Sequence, residues 1–280
     1  MPLRPLSDFD LSDRANIQLI ASDMDGTLTL DGEFSAEFIS TLEQLASVGL
    51  PLLIVTGRSA GWVQGLAQYL PVAGAIAENG GLYFFPPNYE ARFLVDLPDI
   101  ATHRQALADC FNQLKQDWPQ LKESSDNRFR LTDWTFDVAG LSQGGIEAIA
   151  QRCTDQGWDF TYSTVQCHIR PQGQDKGVAL QRLMADQYPK LDKTQVVTVG
   201  DSPNDASLFD PKLFPVSCGV ANLRHYAERL PHCPAYITET AEFSGFQELA
   251  CDLISARVQS LPDEGPQTIL VRDPRLLHDQ

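Results

Sequence analysis

Three short apolar runs, each stopping at residues able to do chemistry, constrain this chain more than any other feature. They are IQLIASDMD (17–25), LPLLIVTG (50–57) and TQVVTVGD (194–201). A strand with one face in water alternates polar and apolar residues, whereas a strand buried on both faces reads as a continuous apolar run. Between the runs the spacing turns helical. Phe38, Leu42 and Leu45 fall on one face of a segment that Ser35 can cap at its start and Gly49 at its end. Segments 60–70 and 176–188 also read as helices, 72–81 reads as another strand, and helices are expected to open at Asp205 and at Asn222. Buried strands alternating with helices predict an α/β fold, a Rossmann-like parallel sheet covered on both faces.

The middle of the chain has a different grammar. Helical patterns near 99–117 and 144–156 flank alternating, half-exposed segments at 128–138 and 159–170. This is an α+β module inserted into the α/β core. The expected order is an N-terminal arm (1–16), the first part of the core (17–90), an α+β cap (91–170), the second part of the core (171–257) and a tail (258–280) rich in Pro, Asp and Gly. The arm is expected to be loose and the tail poorly ordered. With 280 residues, 43% of them hydrophobic, the chain can bury a core of this size.

A net charge of −16 argues against nucleic acid as a partner, because such a surface repels phosphate backbones. A phosphorylated small molecule would feel the same field, so a site for one needs local positive charge. The six cysteines form no CxxC pair and no zinc-type spacing, and are read as free thiols. No signal peptide is visible, and no run approaches the roughly 20 apolar residues that cross a bilayer. The reading is a cytoplasmic protein without a membrane partner, either monomer or homodimer.

Asp23 and Asp25 directly follow the first run. Residues two apart on a strand share a face, so both carboxylates can address one site. A calcium loop would need Asp or Asn at 27 and Gly at 28, where this chain has Thr27 and Leu28. GDSPND (200–205) brings Asp201 and Asp205 to the end of the third run. Carboxylates gathered this way repel one another unless a cation sits among them, and an all-oxygen donor set suits Mg²⁺. Thr56 ends the second run, where its hydroxyl and neighbouring amides can donate to phosphate. Lys176, opening a helix, can neutralise phosphate as a point charge.

Together, DMDGT (23–27), IVTGR (54–58), Lys176 in QDKG and GDSPND (200–205) resemble, in order and spacing, the four motifs of the haloacid dehalogenase superfamily. The cap position resembles the type II (C2) arrangement, and ENGG (78–81) with AYITETAEFSGFQEL (235–249) resembles subgroup IIB. That subgroup includes sugar-phosphate phosphatases, such as sucrose-phosphate and mannosylglycerate-type phosphatases, and phosphomannomutase. The resemblance implies that Asp23 is the nucleophile, forming an aspartyl-phosphate, and Asp25 the general acid/base. Thr56, Gly57 and Lys176 would hold phosphoryl oxygens. Asp23, the Asp25 backbone carbonyl, Asp201 and Asp205 would hold Mg²⁺, the last directly or through water.

The expected activity is hydrolysis of a small phosphorylated metabolite, a sugar phosphate or glycosyl-phosphoglycerate, with a phosphomutase using the same residues as the alternative. Candidate substrate contacts are Arg58, Asn79 and Asn204 from the core and Arg128, Arg130 and His168 from the cap, with Asp133 and Trp134 nearby in sequence.

Overall fold

The computed structural model describes residues 3–163 and 165–260. In chain order its elements are β1 (Arg4–Pro5), α1 (Leu11–Asn16), β2 (Leu19–Ser22), α2 (Ala36–Ser47), β3 (Leu52–Val55), α3 (Ala60–Tyr69), β4 (Gly74–Ala77), β5 (Leu82–Phe84) and β6 (Arg92–Phe93). There follow α4 (Ile100–Asp117), β7 (Trp134–Asp137), α5 (Gln143–Asp155), β8 (Asp159–Tyr162), β9 (Gln166–Arg170), α6 (Lys176–Gln187), β10 (Val196–Gly200), β11 (Val216–Gly219), β12 (Tyr236–Ile237) and α7 (Glu242–Ser260).

Nine strands form one sheet in the order β1-β12-β11-β10-β2-β3-β4-β5-β6. All neighbours are parallel from β1 through β4, and β5 and β6 close the edge antiparallel. The three apolar runs of the sequence become the adjacent central strands β10, β2 and β3. They are parallel, so the residues that follow them emerge at one sheet edge, where open α/β sheets bind ligands. The pleat explains why the runs do not alternate. Ile20, Leu52 and Ile54 pack into one core layer with Phe38 and Phe246, while Leu19, Ala21, Leu53 and Val55 pack into the opposite layer with Leu180 and Leu183. Ser35 caps α2 by accepting from the Phe38 amide at 3.1 Å, and Gly49 follows that helix with φ 68°.

The inserted module is a three-stranded antiparallel sheet, β7-β9-β8, packed through Phe136, Cys167 and Ile169 against Leu107, Phe111 and Leu114 of α4 and Ile149 of α5. Several expectations are corrected. Only Trp134–Asp137 of the 128–138 segment is strand. Asn127–Phe129 is a 3-10 turn, and 130–133 leaves the sheet to bond the core. β6, beyond the expected cap boundary at 91, still belongs to the core sheet. Helix at Asp205 and Asn222 takes the 3-10 form, over Pro203–Phe209 and Ala221–His225.

Residues 4–16 are not a loose arm. β1 pairs with β12, Leu6 and Phe9 are buried, and Arg14 meets Asp252 of α7 at 3.1 Å. At the other end α7 runs through Ser260, so 258–260 are helix, and the rest of the expected tail lies outside the described residues. Among the described residues no helix is long and apolar enough to cross a membrane. Four of the six cysteines are buried, and all six are free.

Candidate active site

Each central strand delivers one part of the site. After β2 the Asp23 amide makes a last ladder bond to Val199 O, 2.9 Å, and the chain then turns away. Gly26 makes that turn with φ 78°. A Cβ there would lie 2.5 Å from Asp201 Oδ2, so both backbone conformation and space require glycine. After β10, Asp205 folds back, and its Oδ2 accepts from the Asp201 and Ser202 amides at 3.0 and 3.1 Å. Its Oδ1 accepts from Lys176 Nζ at 2.7 Å, and Lys176 also donates to Asp23 Oδ1 at 2.5 Å. Lys176 reaches them from the first turn of α6, whose N-cap Asp175 accepts from the Gly177 and Val178 amides.

The electrostatics follow from burial. Oxygens of Asp23, Asp201 and Asp205 lie within 4.8 Å of one another, all in buried residues. The Asp23 carboxyl is pushed up to about 7, by burial first and repulsion from Asp205 second, against the pull of Lys176. Burial, then Asp23 and Asp205, push Asp201 well above the carboxylate range. Burial disfavours the Lys176 charge, but Asp205 and Asp23 outweigh it and hold the ammonium above the usual lysine range. Asp201 Oδ2 accepts from Asn222 Nδ2 at 2.8 Å, whereas Asp201 Oδ1 is buried without a hydrogen-bond partner among the described residues. A buried carboxylate oxygen without a hydrogen-bond partner, beside a second carboxylate, is the kind of donor a hard divalent cation would satisfy, so this donor set fits Mg²⁺. Asp205, with both oxygens bonded internally, is placed to orient the set rather than to lead it.

Asp25 lines the same cavity as Asp23. Arg58 holds it from Nε at 2.9 and 3.2 Å and from Nη2 at 2.6 Å, while the guanidinium lies 5.4 Å from the Trp62 ring centre. Thr56 Oγ1 accepts from the Arg58 amide at 3.1 Å. Asn204 donates to Asn79 Oδ1 at 3.0 Å, and Asn79 Nδ2 is buried without a partner among the described residues. Asp23, Asp25, Gly57, Arg58, Ser202 and Asn204 line one side of a small cavity. Ser163, Val165, Gln166 and His168 of the cap line the other.

Two cap candidates are placed differently from expectation. Arg128 is exposed, stacks over the Phe129 ring at 4.7 Å and is not among the residues lining the cavity. Arg130 is a buried strut that donates to Gly57 O, Asp133, Asp126 and Gln166, with no group left over for a ligand except Nε. Trp134 packs on Phe111 inside the cap.

Sequence reasoning missed Glu78 and Asn222. Glu78, Asn79 and Gly80 all have positive φ, 53°, 52° and 101°. A non-glycine residue there costs about 1 kcal/mol. Glu78 repays the strain by joining core to cap, because its carboxylate accepts from the amides of Ala60, Leu131 and Thr132 and from Thr132 Oγ1, all within 3.1 Å. An acidic residue at a strand end, followed by Asn-Gly-Gly, was the available signal. Asn222 closes the fourth strand end, just after the apolar CGVA run.

A family model for haloacid dehalogenase-like hydrolases matches residues 20–90 and 113–227. The chain is 26% identical over 249 residues to phosphoglycolate phosphatase 1 of Saccharolobus solfataricus, covering 88% of this chain and 99% of the relative. It is 25% identical over 244 residues to the glucosyl-3-phosphoglycerate/mannosyl-3-phosphoglycerate phosphatase of Persephonella marina, covering 76% and 89%. Its fold matches the sucrose-phosphatase of Synechocystis, solved with sucrose and phosphate, with a TM-score of 0.62 and 19% identity over 85% of this chain and 98% of that one. The chain therefore belongs to the haloacid dehalogenase-like hydrolases.

Proposed function

We propose that this protein is a Mg²⁺-dependent phosphatase for a small phosphorylated metabolite, a sugar phosphate or glycosyl-phosphoglycerate, working through an aspartyl-phosphate on Asp23. The observation that carries it is one buried lysine bonded to Asp23 and Asp205 beside the orphaned Asp201 Oδ1. The relatives are named for phosphates of small organic molecules, which supports the class. Buried free thiols suit a reducing, cytoplasmic setting.

Asp23 Oδ1 is taken by Lys176, which leaves Oδ2 to attack phosphorus. The P–O bond to the substrate breaks as Asp25, which takes up a proton from solvent once Arg58 has left it, gives that proton to the leaving oxygen. Asp25 then takes a proton from water as that water attacks the phosphorus. The bond to Asp23 breaks, and inorganic phosphate departs. Lys176, Thr56 and the Gly57 amide stabilise the phosphoryl oxygens through both steps. Asp23, Asp201, the Asp25 carbonyl and, through water, Asp205 would hold Mg²⁺, which supplies charge neutralisation between the nucleophile and the phosphoryl oxygens.

The test is phosphate release from p-nitrophenyl phosphate and a sugar-phosphate panel. Release should need Mg²⁺, stop in EDTA and return when Mg²⁺ is restored. No release from any ester would end the proposal. Isomerised product without free phosphate would replace it with a phosphomutase.

Metal should also act on stability, with a definite sign. Asp23 titrates at about 7 in the fold, above its ordinary 3.8, so the metal-free folded state holds protons that the unfolded state has released. Metal-free stability therefore falls as pH rises between those values. Divalent binding needs the deprotonated carboxylates, so the rise in Tm on adding Mg²⁺ is expected to be larger near pH 8 than near pH 5. Equal shifts at both would contradict the assignment of these acids to the ion.

Arg58 must leave Asp25 before Asp25 can take up and hand over a proton, because it occupies both oxygens. Substrate oxygens entering the cavity give the guanidinium another partner. Arg58→Ala is expected to raise KM for a sugar phosphate about tenfold while kcat falls less than about threefold. A loss confined to kcat would mean that Arg58 serves Asp25 alone.

A further inference from the structure

The cap side of the cavity carries a buried chain of charged and polar groups that the phosphoryl chemistry does not use. Arg130 Nη1 donates to Gly57 O at 2.9 Å and to Asp133 at 2.9 and 3.1 Å. Asp133 Oδ2 faces His168 Nδ1 at 2.8 Å. All three residues are at most 2% exposed. Asp133 bonded to a guanidinium is ionised. Burial opposes that charge, but Arg130 and His168 outweigh it and hold the carboxyl below its usual range. An ionised carboxylate can only accept, so Nδ1 carries the hydrogen.

Burial, despite Asp133, holds the imidazole below its ordinary pKa, which keeps the ring neutral. The remaining ring nitrogen, Nε2, then presents a lone pair. It has no protein partner among the described residues, and His168 lines the cavity. The neighbouring Gln166 side chain is already bonded to Arg130 and Asp126, and Arg58 to Asp25.

We infer that His168, aimed by Asp133 and Arg130, is the specificity-determining residue of the cap: its Nε2 accepts a hydrogen bond from a substrate hydroxyl and disfavours a carboxylate at that position. A carboxylate oxygen would meet a lone pair with nothing to donate, whereas a hydroxyl supplies the missing hydrogen. Asp133 and Arg130 act as positioning residues, since they fix which nitrogen is bare. Phosphoglycolate and glycosyl-3-phosphoglycerate, for which relatives are named, both carry a carboxylate, so of the two substrate classes proposed above His168 selects the sugar phosphate, and selectivity in this chain would run opposite to those relatives' names.

The inference rests on the phosphatase reading, and a matched pair of esters separates the two. Glycerol 3-phosphate and 3-phosphoglycerate differ in having CH₂OH or a carboxylate at one carbon. With Mg²⁺, the wild-type kcat/KM is expected to favour glycerol 3-phosphate by at least about tenfold, mainly through KM. In His168→Gln, whose amide can either donate or accept, that ratio should collapse to within about threefold. Asp133→Asn should lower the ratio in the same direction. Both esters are read on one preparation, so partial misfolding of a variant cancels from the ratio. A wild-type preference for 3-phosphoglycerate, or an unchanged ratio in His168→Gln, overturns the inference and leaves the phosphatase standing. No turnover of any ester brings down both.

Discussion

Asp23→Asn is expected to abolish turnover, with kcat down by at least about 10⁴-fold, because the amide cannot form the acyl phosphate. The same substitution should not harm the fold. Asn is isosteric, Lys176 keeps Asp205 at 2.7 Å, and the change removes a carboxylate that burial and Asp205 already push up to about 7. In metal-free buffer near pH 8 the variant should be as stable as wild type or more so, by about 1 kcal/mol. The rise in Tm that Mg²⁺ gives wild type should shrink, since one ligand is gone. Residual activity above about 1% of wild type would remove Asp23 as the nucleophile, since replacing a covalent nucleophile costs orders of magnitude more. A strongly destabilised variant would show that the carboxylate serves the fold and not the reaction. A thermal melt beside the assay distinguishes these outcomes.

The parts of this site that could be read from the sequence are those whose signal is local. An apolar run that stops at Asp23, Thr56 or Asp201 reports both a doubly buried strand and the polar group at its end, because the two pleat faces feed two core layers. What stayed hidden depends on contacts distant in the chain. Glu78 looks like one more acid until Leu131 and Thr132 arrive from more than 50 positions away to bond it. Arg128 and Arg130 look equivalent on an assumed strand. The 3-10 turn at Asn127–Phe129 breaks that alternation, sending one side chain to solvent and the other under Gly57.

The N-terminal residues mislead for a related reason. Among the described residues before Ile17 only Leu6 and Phe9 are buried, too few to form a period, yet β12 offers an open edge and α7 a surface, and these order the segment. Asp133 and His168 sit 35 positions apart and meet only because β7 pairs with β9.

Lys176→Met carries the second large effect, and here stability and activity should fall together. The side chain is fully buried between Asp23 and Asp205. Methionine fills a similar volume but leaves two carboxylates facing each other in a dry site. Removing one partner of a buried ion pair costs about 3–5 kcal/mol, far more than an exposed pair would. The loss should depend on pH. Near pH 8 Asp23 must be charged or must take up a proton at a cost, while near pH 5, below the value of about 7 to which burial already pushes it, it is readily neutral, so the deficit against wild type narrows as pH falls. Mg²⁺ should restore part of the stability, because a cation among Asp23, Asp201 and Asp205 replaces some of the lost charge. It should not restore turnover, which is expected to stay down by about 10³-fold, since the ammonium that would stabilise the phosphoryl oxygens in the proposed reaction is absent. Adding Asp23→Asn to Lys176→Met removes one of the two uncompensated charges and should recover stability, a non-additive coupling that a double-mutant cycle reads directly. If Lys176→Met melts like wild type in EDTA near pH 8, the charges around position 176 are not balanced by this lysine, and the electrostatic basis of the site is wrong.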